Sequence, residues 1–219
     1  MRSLTLAGAL PATGSVLFIG AHCDDIEIGC GATVLGLVDA YPDATFHWVV
    51  LASSPRRAEE AEKAARAFLT GAEHVEIQIG TFRDGYLPYL GPAVKDRFEE
   101  LKLAVDPDLI FTHSRHDAHQ DHRLASELTW NTWRDHLIFE YEIPKYDGDL
   151  GVPNVFVDAP ESRRNEKLRL LNDYYGSQRS RTWFSDDTFL GLMRLRGVEG
   201  NTPSGYAEAF YSRKLALAL

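Results

Sequence analysis

Apolar residues in this chain fall in short continuous runs, and helix-patterned stretches separate those runs. Val16 to Ala21 (VLFIGA) has no apolar–polar alternation, which predicts a strand buried on both faces. Gly31 to Ala40 predicts a helix and Thr45 to Ala52 (TFHWVVLA) a second strand. Arg56 to Leu69 is rich in Ala, Glu, Lys and Arg, a helix-forming composition. His74 to Ile79 predicts a third strand. Ala93 to Val105 predicts a helix that stops at Asp106-Pro107, because the position before a proline disfavours the helical region. Asp108 to Thr112 reads as a fourth strand, Asp121 to Arg134 as a helix and Leu137 to Ile143 as a fifth strand.

After Ile143 the pattern weakens. Pro144 to Pro153 is turn-rich. Asn154 to Asp158 predicts an added strand, Glu161 to Tyr175 and Asp187 to Arg196 predict helices, and the tail from Tyr206 to Leu219 is mixed. Alternating strands and helices predict an α/β, Rossmann-like fold: a mostly parallel sheet with helices on both faces and a C-terminal extension that helps shape the pocket. In such sheets ligands bind beyond the carboxyl ends of the strands.

The 219 residues are expected to form one domain, residues 1–219. The net charge of -9 argues against non-specific nucleic-acid binding, which needs a basic face. The two cysteines, Cys23 and Cys30, do not suggest a secreted disulfide framework. Met1 to Leu10 lacks the apolar core of a leader, and no window reaches the ~18 apolar residues of a membrane span. A cytoplasmic protein without a membrane span is the expectation, and a homo-oligomer is compatible with the sequence.

Chemistry concentrates after two of the apolar runs. His22-Cys23-Asp24-Asp25-Ile26-Glu27 follows the first strand, and His119-Gln120-Asp121-His122 follows the fourth. A catalytic zinc site uses three protein ligands and an open position, and His22, Asp25 and His122 can supply a two-His, one-carboxylate set. Helix capping is the plain alternative. Asp24-x-x-Glu27 has the outline of a capping box, and Asp121 stands where a cap would. Caps, however, do not call for His22, His119 and His122. Gly29-Cys30-Gly31 is not a dinucleotide fingerprint, and its glycines suit close helix–sheet packing. His47, His74 and His136 read as structural or exposed. His113 and His116 lie on the way to the second cluster and stay open. Tyr141 to Tyr146 and Gln178 to Phe184 offer aromatic residues for a sugar platform.

These residues resemble the LmbE/PIG-L family of zinc-dependent N-acetylglucosaminyl de-N-acetylases. Its motif Ala-His-Pro-Asp-Asp-Glu is similar to Ala21-His22-Cys23-Asp24-Asp25, with the acid displaced to Glu27 and Cys23 standing for proline. Its His-x-Asp-His motif is similar to His119-Gln120-Asp121-His122. The resemblance spans about residues 14 to 143. It implies that His22, Asp25 and His122 bind Zn2+ (Fe2+ or Co2+ being accepted by the same donors) and that Asp24 is the general base. His119 would polarise the carbonyl or protonate the amine, with Asp121 orienting and charging it. An arginine heading the second helix would meet substrate; Arg57 with Glu60 fits best, with Arg56 as the fallback. Some relatives carry a tyrosine where this chain has Asp117.

The implied activity is removal of an N-acetyl group from an amino sugar or glycoconjugate. The competing readings are an amidase for a larger N-acyl conjugate and a non-catalytic, metal-holding sugar- or nucleotide-binding module.

Overall fold

The computed structural model describes residues 4–216. The outermost residues of the Met1–Leu10 and Tyr206–Leu219 segments therefore lie outside the described residues. Among the described residues seven strands form one sheet: β1 Ser15–Gly20, β2 Thr45–Ala52, β3 His74–Phe82, β4 Leu109–His113, β5 Leu137–Tyr141, β6 Val155–Asp158 and β7 Ala207–Tyr211. Their order is β3-β2-β1-β4-β5-β7-β6. The first five are parallel, and β7 runs antiparallel between β5 and β6. The expected α/β class and parallel core are present. β7 is an addition, from a segment whose apolar pattern the buried Glu208 interrupts.

Six α-helices among the described residues cover the sheet: α1 Asp25–Ala40, α2 Pro55–Phe68, α3 Gly91–Ala104, α4 Gln120–Thr132, α5 Glu161–Tyr174 and α6 Asp186–Glu199. Alternate residues of β1 enter opposite cores, since successive strand side chains point to opposite faces. Val16 and Phe18 join Phe46, Phe68, Phe111 and Leu171 on the side of α1, α2 and α5. Leu17 and Ile19 join Val94, Phe98, Leu101 and Trp133 on the side of α3 and α4. Strands buried on both faces explain the continuous apolar runs. Among the described residues, no helix is long and apolar enough to cross a membrane.

Helix α1 begins at Asp25 rather than Gly31 because it is two helical pieces joined at Cys30, where φ is -143° and ψ 20°. The second piece is capped from across the fold. The Glu208 carboxylate of β7 accepts hydrogen bonds from Ala32 N (2.9 Å) and Thr33 N (2.7 Å). Lys167 of α5 holds that carboxylate at 2.6 Å and also donates to Ile28 O at 2.6 Å. Gly29 is required here: a Cβ would stand 2.3 Å from the Tyr141 ring. The glycines of this turn thus serve helix–sheet packing.

The chain leaves β1 toward β2 and β3 on one side, then returns to β4 and β5 on the other. The crevice at this reversal, beyond the strand ends, is where such sheets place their ligands.

Candidate metal centre and catalytic cleft

The turn after β1 and the loop after β4 meet in that crevice. His22 Nδ1 lies 3.1 Å from His122 Nε2 and 3.4 Å from Asp25 Oδ2, and His122 Nε2 lies 3.5 Å from Asp25 Oδ1. Nitrogen and oxygen donors held ~2.0–2.2 Å from a tetrahedral zinc ion stand about 3.3–3.5 Å apart. The donor spacing therefore suits one small cation.

The surroundings fit a metal as well. Each imidazole keeps one nitrogen for the centre and turns the other to a carboxylate. His22 Nε2 meets Asp121 Oδ2 at 3.1 Å and Asp84 Oδ1 at 3.1 Å, and His122 Nδ1 meets Asp117 Oδ2 at 2.9 Å. Such outer carboxylates fix ring orientation and raise ligand basicity. Asp25 is locked from behind by His22 N (2.6 Å) and His113 Nε2 (3.1 Å).

Two residues left open or unassigned in the sequence belong to this support. His113 ends β4, fully buried, and stacks on His122 with ring centroids 3.9 Å apart. Its Nε2 also meets Ala21 N and the hydroxyl of Tyr141, its register partner on β5. Asp117 stands five positions before His122, a carboxylate–histidine spacing that could have flagged it. Buried, it faces the back of His122 and Lys145. His116 is exposed and makes only a backbone contact, to Ser114 Oγ.

The capping alternative is not what the backbone adopts. Asp24 is the residue before α1 but makes no side-chain cap hydrogen bond, and Glu27 reaches Tyr175. At α4 the cap is His119, whose Nδ1 accepts from Asp121 N at 3.2 Å. This changes the expected partnership of Asp121. Its carboxylate receives Gly85 N (2.7 Å) and Leu87 N (3.2 Å) and holds His22; it does not hydrogen-bond His119, because the helix start points it back under the first motif. With Nδ1 accepting, neutral His119 carries its proton on Nε2. Burial and neighbouring His22 lower its pKa, which opposes the charged imidazolium expected from the sequence.

The adjacent aspartates are driven apart. Burial raises Asp24, more than the Arg57 guanidinium lowers it. Burial would raise Asp25 too, but His122, His113 and His22 hold it well below the usual carboxylate range. Asp24 Oδ1 is paired with Arg57 Nη2 at 2.7 Å, while its buried Oδ2 has no partner. Arg57 is itself steadied by Ser177 Oγ at 3.2 Å and by the Tyr175 ring 5.3 Å away. The fallback arginine, Arg56, points out at 74% exposure and meets Glu60. The Cys23 thiol points to Ala52 O, away from the donor set, and burial pushes its pKa up to about 12. Both cysteines are free.

A cavity of about 580 Å³ opens above these groups, lined among others by Asp24, Arg57, His119, Tyr146, Gln178 and Trp183. The two aromatic segments singled out in the sequence do meet here, through Tyr146 and Trp183. Tyr141 and Phe184 are instead core residues.

Solved structures share this fold. N,N'-diacetylchitobiose deacetylase from Pyrococcus horikoshii is 20% identical, with a TM-score of 0.69 over 91% of this chain and 83% of its own. GalB, the 4-carboxy-2-hydroxymuconate hydratase from Pseudomonas putida KT2440, is 17% identical, with a TM-score of 0.75 over 94% and 98%. The zinc-inhibited form of teicoplanin deacetylase Orf2 is 15% identical, with a TM-score of 0.69 over 90% and 97%. The fold thus carries more than one chemistry. No curated protein matches the chain. The family described as PIG-L, GlcNAc-PI de-N-acetylase, matches residues 17–133, just over half of the chain, including both clusters of the crevice. The chain belongs to the PIG-L family of GlcNAc-PI de-N-acetylases.

Proposed function

We propose that this protein is a metal-dependent hydrolase that removes an N-acetyl group from an amino-sugar-containing substrate. The observation that carries the reading is the buried, unpartnered Asp24 Oδ2 at the floor of a sugar-sized cavity, beside three donors spaced for one cation. His22, Asp25 and His122 would hold the metal, Zn2+ by preference of the donor set, with Fe2+ or Co2+ as the alternatives. When bound, the cation supplies Lewis acidity that polarises the acyl oxygen and lowers the pKa of water from ~15.7 toward ~7.

Asp24 accepts the proton of the attacking water. Its desolvation makes it a stronger base, and Arg57 keeps it ionised and aimed. His119 Nε2–H donates to the acyl oxygen as that atom gains negative charge. An amide nitrogen leaves only with a proton, and protonated Asp24 can return the one it took from water. This division of labour needs no imidazolium at His119, in keeping with its lowered pKa.

The test is acetate release from free, nucleotide-linked and lipid-linked N-acetyl sugars by the zinc-loaded protein. Asp24→Asn is expected to keep stoichiometric metal and lose about 10²- to 10⁴-fold in kcat, whereas His122→Ala loses metal. Full turnover in Asp24→Asn would remove the assigned base.

A further inference from the structure

Arg57 holds Asp24 by one oxygen only. Arg57 Nη2 stands 2.7 Å from Asp24 Oδ1, while the buried Asp24 Oδ2 has no hydrogen-bond partner among the described residues. A guanidinium and a carboxylate frequently pair through two parallel N–H···O bonds, fork to fork. Here the second half of that fork is not made, and the oxygen left free is the one able to take a proton from water.

The reason lies at the other end of the guanidinium. Arg57 Nη1 donates to Ser177 Oγ at 3.2 Å and stands 3.6 Å from Glu60 Oε2. Glu60 is three residues further along α2, on the face that carries Arg57. Its carboxylate is fixed in turn by Ser177, whose backbone N donates to Oε1 at 3.0 Å and whose hydroxyl donates to Oε2 at 2.5 Å. Against the face of the guanidinium lies the Tyr175 ring, its centroid 5.3 Å from Cζ. That ring is itself anchored, because its hydroxyl donates to Glu27 of α1. Held at both ends and on one face, the guanidinium cannot turn to lay a second N–H on Oδ2. Glu60 and Ser177 pair with Arg57, Arg56, Gln178 and each other, and with none of His22, Asp25 or His122.

We propose that Glu60 and Ser177 are positioning residues for the hydrolysis: together they clamp Arg57 so that it grips Asp24 by Oδ1 alone and leaves Oδ2 free for the attacking water. This rests on the assignment of Asp24 as the base. The clamp also ties the base to the wall of the cleft. Gln178, which lines the cavity, donates from Nε2 to Ser177 Oγ at 3.1 Å. The turn after α5 thereby serves Asp24 through Arg57, without reaching the reacting atoms itself.

Two measurements test the clamp. The first is structural. Glu60→Ala/Ser177→Ala releases Nη1, and in a crystal structure of the zinc-loaded double variant Arg57 is expected to place an N–H on each Asp24 oxygen. An arginine still bound to Oδ1 alone would overturn the clamp, whatever the activity.

The second is kinetic, with the most rapidly cleaved of the free, nucleotide-linked and lipid-linked N-acetyl sugars. In the double variant kcat is expected to fall roughly 10- to 100-fold, the size of a small misplacement at a reacting group. KM and zinc content should stay close to those of the wild type, as for an interaction felt only in the transition state. Arg57→Lys supplies the control. An ammonium is a point charge and cannot fork, so adding Glu60→Ala/Ser177→Ala to Arg57→Lys should cost little further rate. Equal losses in the arginine and lysine backgrounds would show a general loosening of the site and overturn the proposal. If the wild type releases acetate from none of these sugars, the deacetylase reading falls, and the crystal structure by itself still decides the clamp.

Discussion

Asp24, Asp25 and Glu27 lie within four positions, and their surroundings give each a different task. Asp25 is held ionised by three imidazoles, Asp24 gives one oxygen to an arginine and keeps the other buried without a partner, and Glu27 is buried against Tyr175 with one oxygen unpartnered. Burial, only partly offset by the Tyr175 hydroxyl, pushes Glu27 up from 4.5 to about 8. The folded protein therefore binds this proton more tightly than the unfolded chain. The associated stability is fully present below pH 4.5 and lost as pH rises toward 8. Glu27→Gln keeps the shape and cannot ionise. In chelator-treated protein, its melting temperature minus that of the wild type should climb between pH 5 and pH 8 and then level. The expected rise is ~1 kcal/mol or more, or about 2–4 °C for a chain of this size. A difference flat with pH would refute it. At this scale the sequence singled out His22, Asp25, His122 and Arg57 by residue type, and the fold brings the four together in one crevice. It left His113 open and was silent on Tyr175 and Asp84, whose surroundings depend on which loops the fold brings together.

Among the elements, β1, β2, β4 and β5 were legible because burial on both faces leaves apolar runs, while the half-exposed edge strand β3 shows instead the alternation Val75, Ile77, Ile79. β7 was not, because Glu208, the second of its five residues, turns inward to a helix end rather than to solvent. The start of α1 was misplaced for a related reason. Asp24, Asp25 and Glu27 read as loop, whereas the backbone coils through them and breaks at Cys30. The break is stabilised by Glu208 and Lys167, both nearly inaccessible. Removing one partner of a buried pair costs about 3–5 kcal/mol, since the other charge is stranded. Lys167→Met should lower stability by that order in denaturant titrations. Lys167→Met/Glu208→Gln should recover part of the loss, a coupling that independent sites would not show. A double-variant loss equal to the sum of the separate Lys167→Met and Glu208→Gln losses would count against a shared network.

For the whole molecule, the reversal between β1 and β4 decides where the centre stands, and the alternation of strands and helices was enough to anticipate it. The wall of the cleft was not legible, because it is contributed by segments without periodic pattern around residues 83–86, 143–147 and 178–183. Every donor of the proposed centre precedes residue 123, yet the helix that begins at Asp25 is completed at Ala32 by a carboxylate 176 positions further on. A chain ending after residue 206 retains His22, Asp25 and His122 but lacks β7. It is expected to lose zinc affinity by more than tenfold, as loss of supporting groups around a site typically does. Unchanged zinc titration would separate the cap from the site. The same contact orders events in time. As the chain emerges from the ribosome, its metal-binding half is exposed long before the strand that completes its first helix exists. Contacts of such long sequence separation form late and slowly. On the proposed ligand set, the nascent chain would carry its donors through synthesis on an unfinished scaffold, and its first helix is completed only when β7 docks.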